Sequence, residues 1–174
     1  MKARSGRFAI AVAAFLALAA AASCKSQSSA PGSGGAPSGA TPPQVTEAEA
    51  RDACLVTAAE AAAAVGVPSF EPPKVTTRPP ITDCMFIDAK ATAEVGIRVE
   101  AGRTLEDFTS MRKQRDDSGH KMTDYPGVGE AAATFVAGRI AEILFAHKGR
   151  VILVHSYMLP LDRVIPLAKT IAAR

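Results

Sequence analysis

The chain reads as an α+β protein, with one antiparallel sheet of about five strands backed by helices in a single domain over residues 45–174. Three observations predict this. Thr57 and Glu60 open an alanine run that Gly66 ends, the spacing of a capped helix. Val95, Ile97 and Val99 alternate with Glu94, Gly96, Arg98 and Glu100, the period of a half-buried strand. Three apolar runs in the last third are joined only by Gly138-Arg139 and Lys148-Gly149, which is hairpin spacing. A segment of roughly 130 residues suits one domain with one core.

Taken in order, the chain begins with a basic stretch (Lys2, Arg4, Arg7), then an apolar run from Phe8 to Ala22, then small residues. This is the plan of an export signal over residues 1–23. A retained membrane span would need about 20 apolar residues, and the run stops short of that at Ser23. Two processing routes compete: ordinary cleavage after Ala20, Ala21 and Ala22, or cleavage before Cys24 with lipid on its sulfur. The second follows from Ala21, Ala22, Ser23 and Cys24, which resemble the bacterial lipobox, with Ala21 where Leu is more usual. Residues 24–44 then carry Ser, Gly, Ala and Pro and almost no apolar bulk, so they are expected to form a disordered tether. As a Gly/Ser-type coil it would span on the order of 25 Å.

Within the domain, Thr46 with Glu49 and Thr57 with Glu60 are both spaced as capping boxes. Pro68 to Pro80 reads as an irregular connection with extended pieces. A first strand around Cys84 and Phe86 turns near Lys90 to Thr92 into the strand of Val95 to Val99. Thr104, with Asp107 three residues on, caps a helix that Gly119 closes. Leu105, Phe108, Met111 and Arg112 share one face of it, and Arg115 falls on the face expected to be solvated.

The last third is a meander over Ala132–Ala137, Ile140–Ala146 and Val151–Met158. Val151, Leu153, His155 and Tyr157 share one face of its final strand. Because the opposite face is apolar too, this strand is expected to be central. A C-terminal helix begins near Asp162, with Pro166 placed in its first turn and Val164, Leu167, Ala168 and Ile171 as its buried stripe.

The cysteine count supports lipidation of Cys24. Of three cysteines, a lipidated Cys24 leaves Cys54 and Cys84 to pair, closing a loop of about 30 residues worth about 3–4 kcal/mol. Two buried free thiols are the alternative. No C-x-x-C exists to suggest zinc or redox chemistry. Charge is neutral once the leader is set aside: removing Lys2, Arg4 and Arg7 from 20 basic residues leaves the same 17 that Asp and Glu count. A nucleic-acid partner is therefore not expected.

These landmarks together resemble an uncharacterised family of bacterial envelope lipoproteins and sensor-like extracellular domains. The shared features are the lipobox and tether, a C-x-[LV]-T-x-x-E helix start (Cys54, Thr57, Glu60) ended by Gly66, and a second cysteine before a strand (Cys84). A P-G-x-G-[DE]-x-A turn follows at Pro126, Gly127, Gly129, Glu130 and Ala132. The resemblance implies a helix-backed antiparallel sheet and implies no activity.

Catalytic and cofactor motifs are missing. His120, His147 and His155 are the only histidines, and none stands in a metal-ligand spacing. His147 is expected to be solvated at a turn, and His155 to be a hydrogen-bonded, partly buried side chain. The Gly127 to Gly129 turn fits neither a Walker loop nor a dinucleotide turn. The expectation is thus no catalytic residue, no cofactor and no metal. The domain is expected to be non-catalytic and to bind or support something in the envelope, held to the periplasmic or outer face of a bacterial membrane through Cys24, with an envelope protein as candidate partner. The alternatives are a small-molecule or lipid carrier, or an envelope enzyme whose site is dispersed in sequence.

Overall fold

The computed structural model describes residues 46–174. The predicted leader, Cys24 and the tether of residues 24–44 lie outside the described residues. Four helices and seven strands follow in the order α1 (Glu47–Cys54), α2 (Ala58–Val65), β1 (Lys74–Arg78), β2 (Ile81–Ile87), β3 (Glu94–Ala101), α3 (Leu105–Asp117), β4 (Thr123–Asp124), β5 (Ala131–Ala137), β6 (Ile140–His147), β7 (Arg150–Ser156) and α4 (Leu161–Ala172). The α+β class holds, with seven strands rather than about five. The two additional strands are β1, inside the proline-rich connection, and the two-residue β4.

All seven strands form one antiparallel sheet ordered β1-β2-β3-β7-β6-β5-β4. The chain builds β1 to β3 inward from one edge, crosses through α3 to the far edge, and returns through the meander until β7 pairs with β3. The expected central position of the last strand is therefore met.

Local chemistry accounts for the helix ends. Thr46, Thr57 and Thr104 each accept from the backbone N–H three residues on, and the acid there accepts from the threonine N–H in return. These bonds hold the Glu49, Glu60 and Asp107 carboxyls below their ordinary pKa. At the end of α2, Arg163 from α4 donates to the carbonyls of Val65 and Gly66, satisfying acceptors that the helix leaves open. Pro166 sits in the second turn of α4 rather than the first, so the Asp162 carbonyl loses its intrahelical donor. The expected stripe of Val164, Leu167, Ala168 and Ile171 is nonetheless fully buried.

Side-chain alternation gives the sheet two faces of unequal coverage. On one, α1, α2 and α4 pack against Cys84, Phe86, Val95, Ile97, Ile143, Phe145, Ile152 and Val154, all essentially inaccessible. Cys54 at the end of α1 is bonded to Cys84 in the middle of β2, their Cα atoms 5.8 Å apart, which pins the entrance of α2 to the sheet. On the other face α3 covers only the β5-β6-β7 side, where Phe108 and Met122 close over Ala133, Leu144, Ala146 and Val151. Leu105, expected on that buried stripe, is 49% exposed at the first position of α3, and only Phe108 of the helix is fully buried. Among the described residues no helix is long and apolar enough to cross a membrane.

Candidate functional site

Where α3 stops, the sheet face opens into a groove of about 560 Å³ over β1, β2, β3 and β7. Strand registers fix what lines it. One row across six strands runs Lys74, Met85, Gly96, His155, Glu142, Phe135. The row beside it runs Thr76, Asp83, Arg98, Leu153, Leu144, Ala133. Strand geometry brings together residues as far apart in sequence as Lys74 and His155.

Gly96 shapes the floor. It leaves a gap in its row, and the His155 imidazole lies across that gap, so that a Cβ at position 96 would overlap the ring. The close approach of a neighbour is a recurrent reason for glycine within a strand. His155 also meets Tyr157 edge to face, with centroids 5.5 Å apart. Its Nδ1 is buried without a partner among the described residues, whereas the sequence suggested a hydrogen-bonded ring. Burial pushes the His155 pKa below that of a free imidazole, more than the carboxylates of Glu142 and Glu94 raise it, and Arg98 and Arg115 lower it further.

At the α3 end, Glu142 is almost fully buried, and one of its oxygens accepts from Arg115 Nη2. His120 places Nδ1 3.6 Å from the same oxygen and stacks on Phe135 at 4.5 Å. Arg115 is therefore no solvated face residue: it turns inward to meet an acid buried in β6, and its Nε has no partner among the described residues. On the open side Arg98 grips Asp83 through two bonds, Nε to Oδ1 at 2.7 Å and Nη2 to Oδ2 at 3.3 Å. Lys74 makes no ion pair among the described residues.

The other predicted residues lie elsewhere. Cys84 points its sulfur into the packed face, so the disulfide clamps the fold and is not part of the groove. The Gly127 to Gly129 segment is a structural turn: Gly129 lies against the Ala146 carbonyl where a Cβ would overlap it, and Glu130 N–H donates to that carbonyl at 2.8 Å. Glu130 in turn accepts from the Lys148 N–H at the β6–β7 turn. The P-G-x-G-E-x-A pattern thus docks one hairpin end on another strand. His147 is half-buried at the end of β6 instead of solvated, its Nε2 unpartnered among the described residues. Desolvation, with Lys148 next, lowers its pKa.

Sequence reasoning did not single out Gly96, Lys74, Glu142, Arg115 or His120. Two of them carry a signal. Gly96 interrupts a period-two strand, and Glu142 is the one acid within the apolar run IAEILFA, where it must find a cation if buried. The partner, Arg115, is set by tertiary packing alone.

No family model, curated protein or solved structure matches the chain. Among the described residues no group of three or more His, Cys, Asp or Glu is placed to hold a metal ion. The groove offers an unpaired ammonium, an imidazole, hydroxyls from Thr76 and Tyr157, and an apolar bed of Met85 and Leu153. That set can orient a small polar molecule by hydrogen bonds and charge.

Proposed function

We propose that the chain is a lipid-anchored bacterial envelope protein, held through Cys24, whose domain binds a small polar ligand in the groove of the open sheet face without transforming it. The observation that carries the binding assignment is the row Lys74, Met85, Gly96, His155, where a missing side chain and an unpaired cation leave recognition groups uncovered. Two arrangements support a non-catalytic role. The Glu142 carboxylate beside His155 in register is already engaged by Arg115, and among the described residues no side-chain hydrogen bond links a hydroxyl to a histidine. A nucleophile would need such a base.

The anchor rests on the leader, the lipobox resemblance and the odd cysteine, and detergent partitioning tests it. The native chain should enter the detergent phase and Cys24→Ala should remain aqueous; identical partitioning would overturn the anchor. Binding is tested by titrating the domain with a small-molecule extract of its own envelope while following backbone amide resonances. Shifts should centre on Gly96, Arg98 and His155 and be absent in Gly96→Val, which fills the floor. Shifts centred elsewhere would remove the groove from the assignment.

A second reading, carriage of an apolar molecule or lipid, is favoured by one feature. Ala59, Ala62 and Ala63 of α2 face Pro68, Phe70 and Pro72 across a cleft of about 460 Å³ with few polar atoms. Displacement of a bound apolar fluorophore by Ala63→Phe, with no effect from Gly96→Val, would select the carrier.

A further inference from the structure

We propose that the groove recognises its ligand through an oxyanion, a carboxylate or phosphate group, seated between Lys74 Nζ and the His155 imidazole. This rests on the binding role given to the groove above and adds the chemical class of what is bound. Three observations carry it.

The first is the charge that remains after internal pairing. Of the groove's cations, Arg98 is committed to Asp83 and Arg115 to Glu142, so the two acids are already neutralised. Lys74 makes no ion pair among the described residues, so an approaching ligand meets a positive charge there. Arg98 and Arg115 still hold N–H donors beyond those given to their acids, since a guanidinium carries five.

The second is convergence. Lys74 and His155 stand in the same row three strand spacings apart, about 14 Å between backbones at 4.7–4.9 Å per strand. His155 already leans over Gly96 on β3, shortening its side of the gap. The four-carbon stem of Lys74 has only Met85 of β2 beneath it and can lay its ammonium toward the ring.

The third is unmet hydrogen-bond demand. Three buried side-chain atoms among the described residues lack partners, and two of them, His155 Nδ1 and Arg115 Nε, belong to residues lining this groove. A buried polar atom without a partner is costly, and in native structures such atoms often mark a place where another species is bound. Arg115 Nε is a donor, and the imidazole donates from one nitrogen in the neutral form and from both when protonated. An anion held by Lys74 can accept from the N–H of the imidazole, whichever nitrogen carries it.

The test uses the ¹⁵N-labelled full chain in neutral detergent micelles, titrated at fixed ionic strength with inorganic phosphate, with butanoate, and with butylammonium as a cation of matched size. Saturable shifts at the Gly96, Arg98 and His155 amides are expected with at least one oxyanion. The stronger of the two names the group. Affinity should fall at least tenfold in Lys74→Glu and remain unchanged in Lys169→Glu, a charge reversal on α4 at the other face. No saturable shift from either oxyanion, or equal affinity in Lys74→Glu, overturns the proposal. Saturable shifts from butylammonium at the same amides also overturn it, while leaving the groove a binding site of opposite preference. A Lys74→Glu spectrum altered throughout would reflect misfolding, and Lys74→Gln, with loss of affinity again expected, then decides.

Discussion

The two faces of the sheet are built from the same strands by alternate residues, yet they have opposite compositions. In β2, Cys84 and Phe86 point into a layer closed by α1, α2 and α4, whereas Asp83 and Met85 point into the groove. In β7, Ile152 and Val154 are inaccessible while His155 on the other side lines a wall. The difference comes from coverage. Three helices seal one face completely, and a single helix covers part of the other, leaving the β1-β2-β3 side bare. Dry apolar contact stabilises the fold on the first face, and on the second, charged and polar side chains line a groove open to solvent.

Neighbouring truncations in one strand separate the faces most sharply. Phe86 has no exposed surface and packs at 6.0 Å from the Phe70 ring, so Phe86→Ala should cost about 3–5 kcal/mol by urea unfolding. Met85→Ala, one residue away on the open face, should cost less than about 1 kcal/mol. Equal costs would mean that the open face is closed in solution. The disulfide comes next. It joins residues 30 apart, and Cys54→Ala with Cys84→Ala should lower stability by about 3–4 kcal/mol while leaving the amide resonances of the groove in place. Groove resonances that shifted with the disulfide would show that the faces are coupled through β2.

A smaller effect is expected within the open face itself. Glu142→Ala removes the acceptor of Arg115 and the neighbour of His120, leaving a guanidinium that is only about a quarter exposed without its partner. Breaking a fully buried pair costs about 3–5 kcal/mol, and solvent access reduces the expectation here to about 1–3 kcal/mol. Glu142→Leu with Arg115→Met should recover most of the loss, since apolar replacement of both partners restores packing without an orphaned charge. Failure of the double variant to recover would point to a role for the pair beyond local stability.

How much of this is legible in the sequence follows the same division. The packed face is readable because its signals are local: Thr57 with Glu60, the alternation of Val95 to Val99, the stripe of α4, and the cysteine arithmetic that pairs Cys54 with Cys84. The missed strand β1 has none of these signals. Lys-Val-Thr-Thr-Arg is an edge strand, mostly exposed, with prolines at both ends that mask it as a connection. Its presence is decided by pairing with β2. The groove is hidden for a related reason. Lys74, Gly96, His155 and Glu142 become neighbours only when β7 inserts between β3 and β6, a long-range choice that no window of sequence contains. The adjacency of His155 and Tyr157 is readable, being set by strand period alone.

The smallest expected effect is also the one that probes how dry the floor of the open face is. Burial lowers the His155 pKa, so the unfolded chain takes up a proton near pH 6.5 while the folded protein does so only at lower pH. Above that interval both states are neutral at this site and it gives stability no pH dependence. As pH falls through it, the unfolded state binds more protons and stability declines, until the folded imidazole also protonates and the decline from this residue ends. The groups facing the ring pull both ways, Glu142 and Glu94 toward protonation, Arg98 and Arg115 against it. His147, on the opposite alternation of β6, is lowered by its own burial and by Lys148, so His155→Gln should remove only part of the decline. The capping acids Glu60 and Asp107 act in a separate window, since their depressed pKa contributes stability that is lost only as pH falls through the carboxylate range. Following the Cε1 protons by NMR resolves the histidines individually. A His155 that titrates at or above pH 6.5 would mean that burial does not outweigh the pull of Glu142 and Glu94 at the floor of the groove.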